Sequence, residues 1–190
     1  MNSSGSSLAD WLRRLETFSP YEIEMGLERV HDVLERLQPV LPGRAFHIAG
    51  TNGKGSSVAF AAALLGTTGE RIGTYTSPHV CRFNERICID GAAASDAEIV
   101  AAFARVDAAR GDTPLTYFEF GTIAAMLVFE ARKVDIAILE VGMGGRLDAV
   151  NAFEPTASLI TNVSLDHCAW LGNDVASIAR EKAGVMRAGK

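Results

Sequence analysis

The stretch Phe46-His47-Ile48-Ala49-Gly50-Thr51-Asn52-Gly53-Lys54-Gly55-Ser56-Ser57 joins an apolar run to a glycine-rich turn, a lysine and a helix-forming segment. That combination is suited to holding phosphate. Glycines 50, 53 and 55 let backbone N–H groups approach an anion, Lys54 adds a mobile positive charge, and the following helix contributes the partial charge of its N-terminus. The expected ligand is a nucleoside triphosphate. The spacing departs from the standard G-x-x-x-x-G-K-[ST] loop. Ile48 replaces its first glycine, and Gly55 replaces the hydroxyl that normally reaches magnesium. Either Ser56 moves in, or the metal takes a hydroxyl from elsewhere in the chain.

Three further places put polar chemistry directly after an apolar segment. Glu140 closes the run Asp135-Ile136-Ala137-Ile138-Leu139, the position from which P-loop enzymes hold magnesium through a carboxylate. The alternative is a carboxylate satisfied by the N–H groups of residues 142–145. That glycine-rich run, Gly142-Met143-Gly144-Gly145-Arg146-Leu147-Asp148, leaves room for a ligand and offers Arg146 and Asp148 as orienting groups. Ser77-Pro78-His79 supplies the hydroxyl that Gly55 lacks, or forms a plain turn. Asp166-His167 offers a metal ligand or a hydrogen-bonded structural histidine. His31 and His47 read as structural.

These groups need a scaffold that gathers them. Leu8, Trp11, Leu12 and Leu15 recur at helical spacing, a second helix runs from about Met25 to about Leu37, and Pro39 and Pro42 close a helical hairpin. A strand over 44–49, a helix over 54–65 and a strand over 72–76 make a β-α-β unit. Ser95 and Asp96 cap a helix to about Ala109, and Thr116 opens another that ends near Lys133. Residues 134–141 and 157–163 read as buried strands, and Asp174 or Ser177 starts the last helix. The alternation predicts an α/β fold: a mostly parallel sheet with helices on both faces. In such sheets ligands sit beyond the carboxyl ends of the strands, where all four polar segments fall.

At 190 residues and 48% hydrophobic composition the chain can bury one sizeable core. A net charge of −5 argues against a broad nucleic-acid or membrane surface, so an anion must be held by local geometry. Cys81, Cys88 and Cys168 form no C-x-x-C pair and imply neither a zinc site nor a disulfide framework. Reduced thiols in a cytoplasm are the expectation. No apolar run is long enough to span a bilayer.

The segments Gly50 to Ser56, Ser77-Pro78-His79 with Asn84-Glu85-Arg86-Ile87, and Thr116-Tyr117-Phe118-Glu119-Phe120-Gly121-Thr122 occur in one characteristic order. Leu139 to Asp148, Leu165-Asp166-His167 and Glu181-Lys182-Ala183-Gly184 follow them. Together they closely resemble the dihydrofolate synthase/folylpolyglutamate synthase family of the Mur ligase superfamily, over roughly residues 21 to 190. The resemblance implies ATP-driven attachment of L-glutamate to dihydropteroate or a folate through an acyl phosphate. It assigns Thr51, Asn52, Gly53 and Lys54, with Gly55 and Ser56 completing the loop, to ATP. It gives Ser77, Glu140 and His167 to magnesium, and makes Lys182 the lysine that is carbamylated in the family. Lys54, Glu140, His167 and Lys182 form the expected catalytic group. The pterin-bearing substrate is expected on Ile23, Glu24, Thr116, Tyr117, Phe118, Glu119, Leu147, Asp148 and Ala149.

Val150 departs from the family by replacing a threonine, which removes a hydroxyl near the substrate loop. Family members also continue past the position of Lys190 into a C-terminal ligase domain. The expected organisation is therefore an N-terminal helical segment over 1–42 and a partial P-loop ATP-binding domain over 43–190, incomplete at the C-terminus. On that reading the isolated chain does not complete ligation, and the parent acts as a monomer on small molecules, without nucleic acid or membrane. Two other functions share the cradle: a cell-wall Mur ligase acting on a nucleotide-linked sugar peptide, and a nucleotide-binding module without turnover.

Overall fold

The computed structural model describes residues 6–18 and 24–189. Six strands form one sheet: β1 (Arg44–Ala49), β2 (Ile72–Tyr75), β3 (Ile87–Ile89), β4 (Ala92–Ala93), β5 (Ile136–Glu140) and β6 (Ala157–Ile160). Their order is β4-β3-β2-β5-β1-β6. β2, β5, β1 and β6 are parallel neighbours, while β3 and β4 turn back antiparallel at one edge. The helices are α1 (Leu8–Leu15), α2 (Glu28–Leu37), α3 (Lys54–Leu65), α4 (Asp96–Arg110), α5 (Tyr117–Arg132), α6 (Cys168–Leu171) and α7 (Val175–Ala183).

The continuous apolar run of β5 follows from burial on both faces. Ile136 and Ile138 pack with Ile48, Val58 and Ile72 on the α3 side, and Ala137 and Leu139 join the main core on the α5 side. Gly73 permits the second contact to be close, because a Cβ there would lie 2.8 Å from the Phe129 ring of α5. Capping boxes fix where the core helices begin: Ser95 with Glu98 for α4, and Thr116 with Glu119 for α5. Among the described residues, no helix is long and apolar enough to cross a membrane.

Three expectations need correction. The two N-terminal helices do not pair chiefly as a hairpin; both rest on α4. Trp11 of α1 is fully buried, with its ring 6.0 Å from Phe103 and 6.4 Å from Phe120. The strand expected over 157–163 ends at Ile160 and is only partly buried. Among the described residues it pairs with β1 alone, at an edge of the sheet, and Leu159 is 49% exposed. The β3–β4 hairpin went unread, although Asp90-Gly91, both at positive φ, is the dipeptide favoured in a tight hairpin turn.

Candidate active site

β1 ends at Ala49 and delivers the chain into the glycine turn. Gly50 has φ 147° and touches Thr161 so closely that a Cβ would fall 1.9 Å from its Oγ1. Gly53 (φ 80°) is the N-cap of α3 and supplies no side-chain cap, so the first-turn N–H groups of this helix face outward. The Lys54 ammonium folds back over the turn, donating to the carbonyls of Gly50 (3.2 Å) and Thr51 (3.4 Å).

The turn is clamped by a segment that sequence reasoning did not single out. Thr161 Oγ1 donates to the Asn52 carbonyl (2.7 Å), and Asn162 Oδ1 accepts from Asn52 N–H (2.9 Å). The Asn162 carbonyl accepts from Thr51 N–H (3.0 Å), and Ser164 N–H donates to Thr51 Oγ1 (3.1 Å). Thr51 and Asn52 therefore spend their N–H groups on holding the loop. Those of Gly53, Lys54, Gly55 and Ser56 remain better placed for an anion. Thr161 and Asn162 fall inside the strand expected over 157–163, which hid them as clamp residues; the strand ends at Ile160.

Glu140 lies beside this turn, 5% exposed at the end of β5. Burial pushes its carboxyl above the usual range, opposed by the Ser77 N–H (3.1 Å) and by the positive charges of Lys54 and Arg86. Among the described residues, no glycine-loop N–H group bonds to it, and those of Gly142 and Met143 turn to Asp148 instead. Asp148 accepts from Met143 N–H (2.8 Å) and Val150 N–H (3.0 Å), and full burial drives its carboxyl up to about 7. Gly55 is the α3 residue that faces Glu140, since a Cβ there would sit 3.6 Å from Oε2, whereas Ser56 is exposed. Ser77 is thus the serine brought to Glu140. One carboxylate and one hydroxyl beside a phosphate cradle fit magnesium, which keeps waters and phosphate oxygens in its shell. Among the described residues, no three His, Cys, Asp or Glu side chains cluster as a metal cage.

Beyond Ser77 and Pro78 opens a cavity of about 840 Å³. It gathers the expected substrate residues Glu24, Thr116, Tyr117, Phe118 and Glu119 from one side, and Leu147, Asp148 and Ala149 from the other, with His167 at its wall. Ile23 lies outside the described residues. Phe118 packs on Gly142, where a Cβ would come within 2.6 Å of the ring. Glu24 and Glu119 are joined through Arg29, another residue that sequence reasoning missed. Its guanidinium meets Glu24 Oε1 at 2.7 Å and Glu119 Oε1 at 2.8 Å. Arg146, expected as an orienting group, instead pairs with Glu181 of α7 at 2.9 Å. Val150 is fully buried in the main core and offers this site only its N–H.

His167 has φ 48° and its Nε2 stands 3.6 Å from Asp166. Lys182 on α7 is 2% exposed. Burial lowers its pKa, nearby Lys54 lowers it further, and Asp166 opposes the shift. Lys182 therefore lies close enough to the cradle to feel the Lys54 charge, whereas His167 lines the cavity that also contains Ser77.

Residues 48–188 match the Mur ligase middle domain, and the chain belongs to that family. Within it, the chain is similar to the dihydrofolate synthase/folylpolyglutamate synthase of Escherichia coli (strain K12). The two are 44% identical over 188 residues, covering 98% of this chain and 44% of that protein. It also superposes on solved structures. One is E. coli FolC in complex with DHPP and ADP, with TM-score 0.94, 43% identity, and coverage of 98% of this chain and 45% of that one. Another is a bifunctional folylpolyglutamate synthase/dihydrofolate synthase with Mn, AMPPNP and L-glutamate bound, with TM-score 0.91, 49% identity, and coverage of 98% and 46%. The chain spans less than half the length of these relatives.

Proposed function

We propose that the protein to which this chain belongs attaches L-glutamate to dihydropteroate or to tetrahydrofolate with ATP, through an acyl phosphate. On this reading residues 1–42 belong to an N-terminal helical segment and 43–190 to part of the ATP-binding domain. One observation carries the reading most strongly: the cavity containing Glu24, residues 116–119 and residues 147–149 reaches Ser77, whose N–H bonds to the Glu140 carboxylate that faces Gly55 of the phosphate cradle. A ring-bearing substrate in the cavity would therefore present its carboxylate toward a nucleotide on the cradle. Relatives bound to DHPP with ADP, and to AMPPNP with L-glutamate, support the same ligand set.

In this reading the first turn of α3 and Lys54 hold the triphosphate, and the Thr161–Asn162–Ser164 clamp keeps the loop preorganised. Glu140, Ser77 and His167 would hold magnesium, which neutralises charge on the transferring phosphoryl group. Phe118, Leu147 and Ala149 supply apolar walls for a pterin, with Asp148 as its polar partner. Lys182 would carry a carbamate, a role supported by its burial and by the lowered pKa that favours the neutral amine. The reaction takes place in the cytoplasm, on small molecules, in a monomer that needs neither nucleic acid nor membrane.

Calorimetric titration of the chain tests this reading. Magnesium–AMPPNP and dihydropteroate are expected to bind, and a nucleotide-linked sugar peptide is not. Binding of the sugar peptide in place of dihydropteroate would assign the cavity to cell-wall precursor ligation.

A further inference from the structure

Arg86 is 9% exposed and lines the cavity between the cradle and the substrate walls. Its backbone carbonyl accepts from Thr76 N–H (2.9 Å), and its Nε lies 2.9 Å from His79 Nδ1. The residue is thus tied to both ends of the Ser77–Pro78 loop, and its charge reaches Glu140 beside the cradle. Its guanidinium carbon stands 5.5 Å from the ring centroids of both Phe83 and Tyr117. The plane is held by aromatic contacts and by a histidine nitrogen, which carry no negative charge. Other buried or half-buried arginines of this chain are ion-paired: Arg29 with Glu119, Arg110 with Asp107. Arg86 has no carboxylate within ion-pair distance among the described residues. Neighbouring Glu85 is committed to the N–H groups of Val80, Cys81 and Arg82.

A nearly buried guanidinium without an anion is costly unless a ligand supplies one. Glu140 feels its field but is bonded to Ser77. Guanidinium matches a carboxylate through paired N–H donors. We propose that Arg86 receives the carboxylate of the pterin-bearing, acyl-donating substrate and holds it toward the terminal phosphate of the nucleotide. The inference rests on the function proposed above. In that reaction a carboxylate oxygen attacks the γ-phosphorus and the bond from phosphorus to the β,γ-bridging oxygen breaks. ADP leaves with the electron pair, and no proton is consumed. Before attack, the carboxylate would have to approach an anionic phosphate, and Arg86 offsets that repulsion from the substrate side. His79 helps hold the guanidinium in place.

The test compares dihydropteroate with its analogue carrying hydrogen in place of the benzoate carboxylate, each titrated calorimetrically into the chain. Wild type is expected to prefer dihydropteroate about 10- to 100-fold, the range of a charge-assisted contact. Arg86→Gln should bind both compounds at the level of the analogue, with unchanged affinity for AMPPNP. Arg86→Lys, which keeps the charge but not the fork, should retain part of the preference. Equal wild-type affinities would overturn the proposal without any variant, which covers an Arg86→Gln chain that does not fold. A preference that survives in Arg86→Gln would also overturn it. Loss of AMPPNP affinity with the carboxylate preference intact would assign Arg86 to the nucleotide instead. Binding of neither pterin compound by wild type would refute the cavity's assignment itself, and this inference with it.

Discussion

Replacing Arg29 with methionine removes the cation shared by Glu24 and Glu119 while keeping much of the side-chain volume. The two halves of the loss are unequal. Glu24 is 38% exposed at its side chain, so its pair with Arg29 contributes about 0–1 kcal/mol. Glu119 is 4% exposed there and would be left as a buried carboxylate, for which the expected cost is about 3–5 kcal/mol. The Thr116 N–H still bonds to Glu119 Oε2 (2.8 Å), which favours the lower end, about 3 kcal/mol. Urea unfolding of Arg29→Met, Glu119→Gln and the double variant measures this as a cycle. The double variant should be more stable than Arg29→Met, with a coupling of about 2 kcal/mol. Additive losses would refute the idea that Arg29 matters mainly by neutralising Glu119. The same variant should weaken dihydropteroate binding, because both carboxylates line the proposed substrate cavity.

Lys54→Ala is expected to weaken AMPPNP binding by about 1.5–3 kcal/mol in calorimetry, through loss of a charge-assisted phosphate contact. Gly50→Ala should destabilise the fold by about 1–3 kcal/mol in urea titration, because the new methyl meets Thr161 Oγ1 at a positive φ. Unchanged stability would show that the clamp yields freely. His47 is fully buried with both ring nitrogens unpartnered, and burial, aided by Arg187, lowers its pKa to about 4. A depressed histidine pKa means that the fold holds the neutral ring. Its contribution is complete above pH 6.5 and is lost as pH falls toward 4, with a ceiling of about 3 kcal/mol. The stability difference between wild type and His47→Leu should follow that curve, and a flat difference would show that the ring is hydrated. Taking the difference also removes the opposite slope from Asp148. Its raised carboxyl pKa makes the fold less stable as pH rises from 3.8 toward 7.

Much of this architecture was written locally. The capping boxes at Ser95 and Thr116 sit three residues from Glu98 and Glu119, and the β5 run declares burial on both faces. The turn from Gly50 to Lys54 is likewise a continuous segment whose glycines and lysine state their chemistry directly. What stayed hidden depends on partners distant in the chain. Thr161 and Asn162 clamp a loop about 110 positions earlier, and Arg29 finds Glu119 90 positions later. No periodicity encodes such contacts; topology creates them by placing β6 beside β1 and α2 near the start of α5. Arg146 illustrates the converse. Its place in a glycine-rich loop suggested ligand contact, but α7 packs close enough for Glu181 to claim it. The Asp90-Gly91 dipeptide is a turn signal in the sequence, but the strands it joins are only three and two residues long and too short to show an alternating pattern.

The central claim is that one cradle and one cavity meet through Glu140 and Ser77 to bring a nucleotide and a ring-bearing carboxylate together. A crystal structure of the chain with magnesium, AMPPNP and dihydropteroate tests it most directly. The account predicts the triphosphate on the first turn of α3 and Lys54, and the metal between Glu140 and Ser77. It also predicts the pterin among Phe118, Leu147, Asp148 and Ala149. A triphosphate seated away from the α3 N-terminus, or a pterin bound outside the cavity, would contradict it.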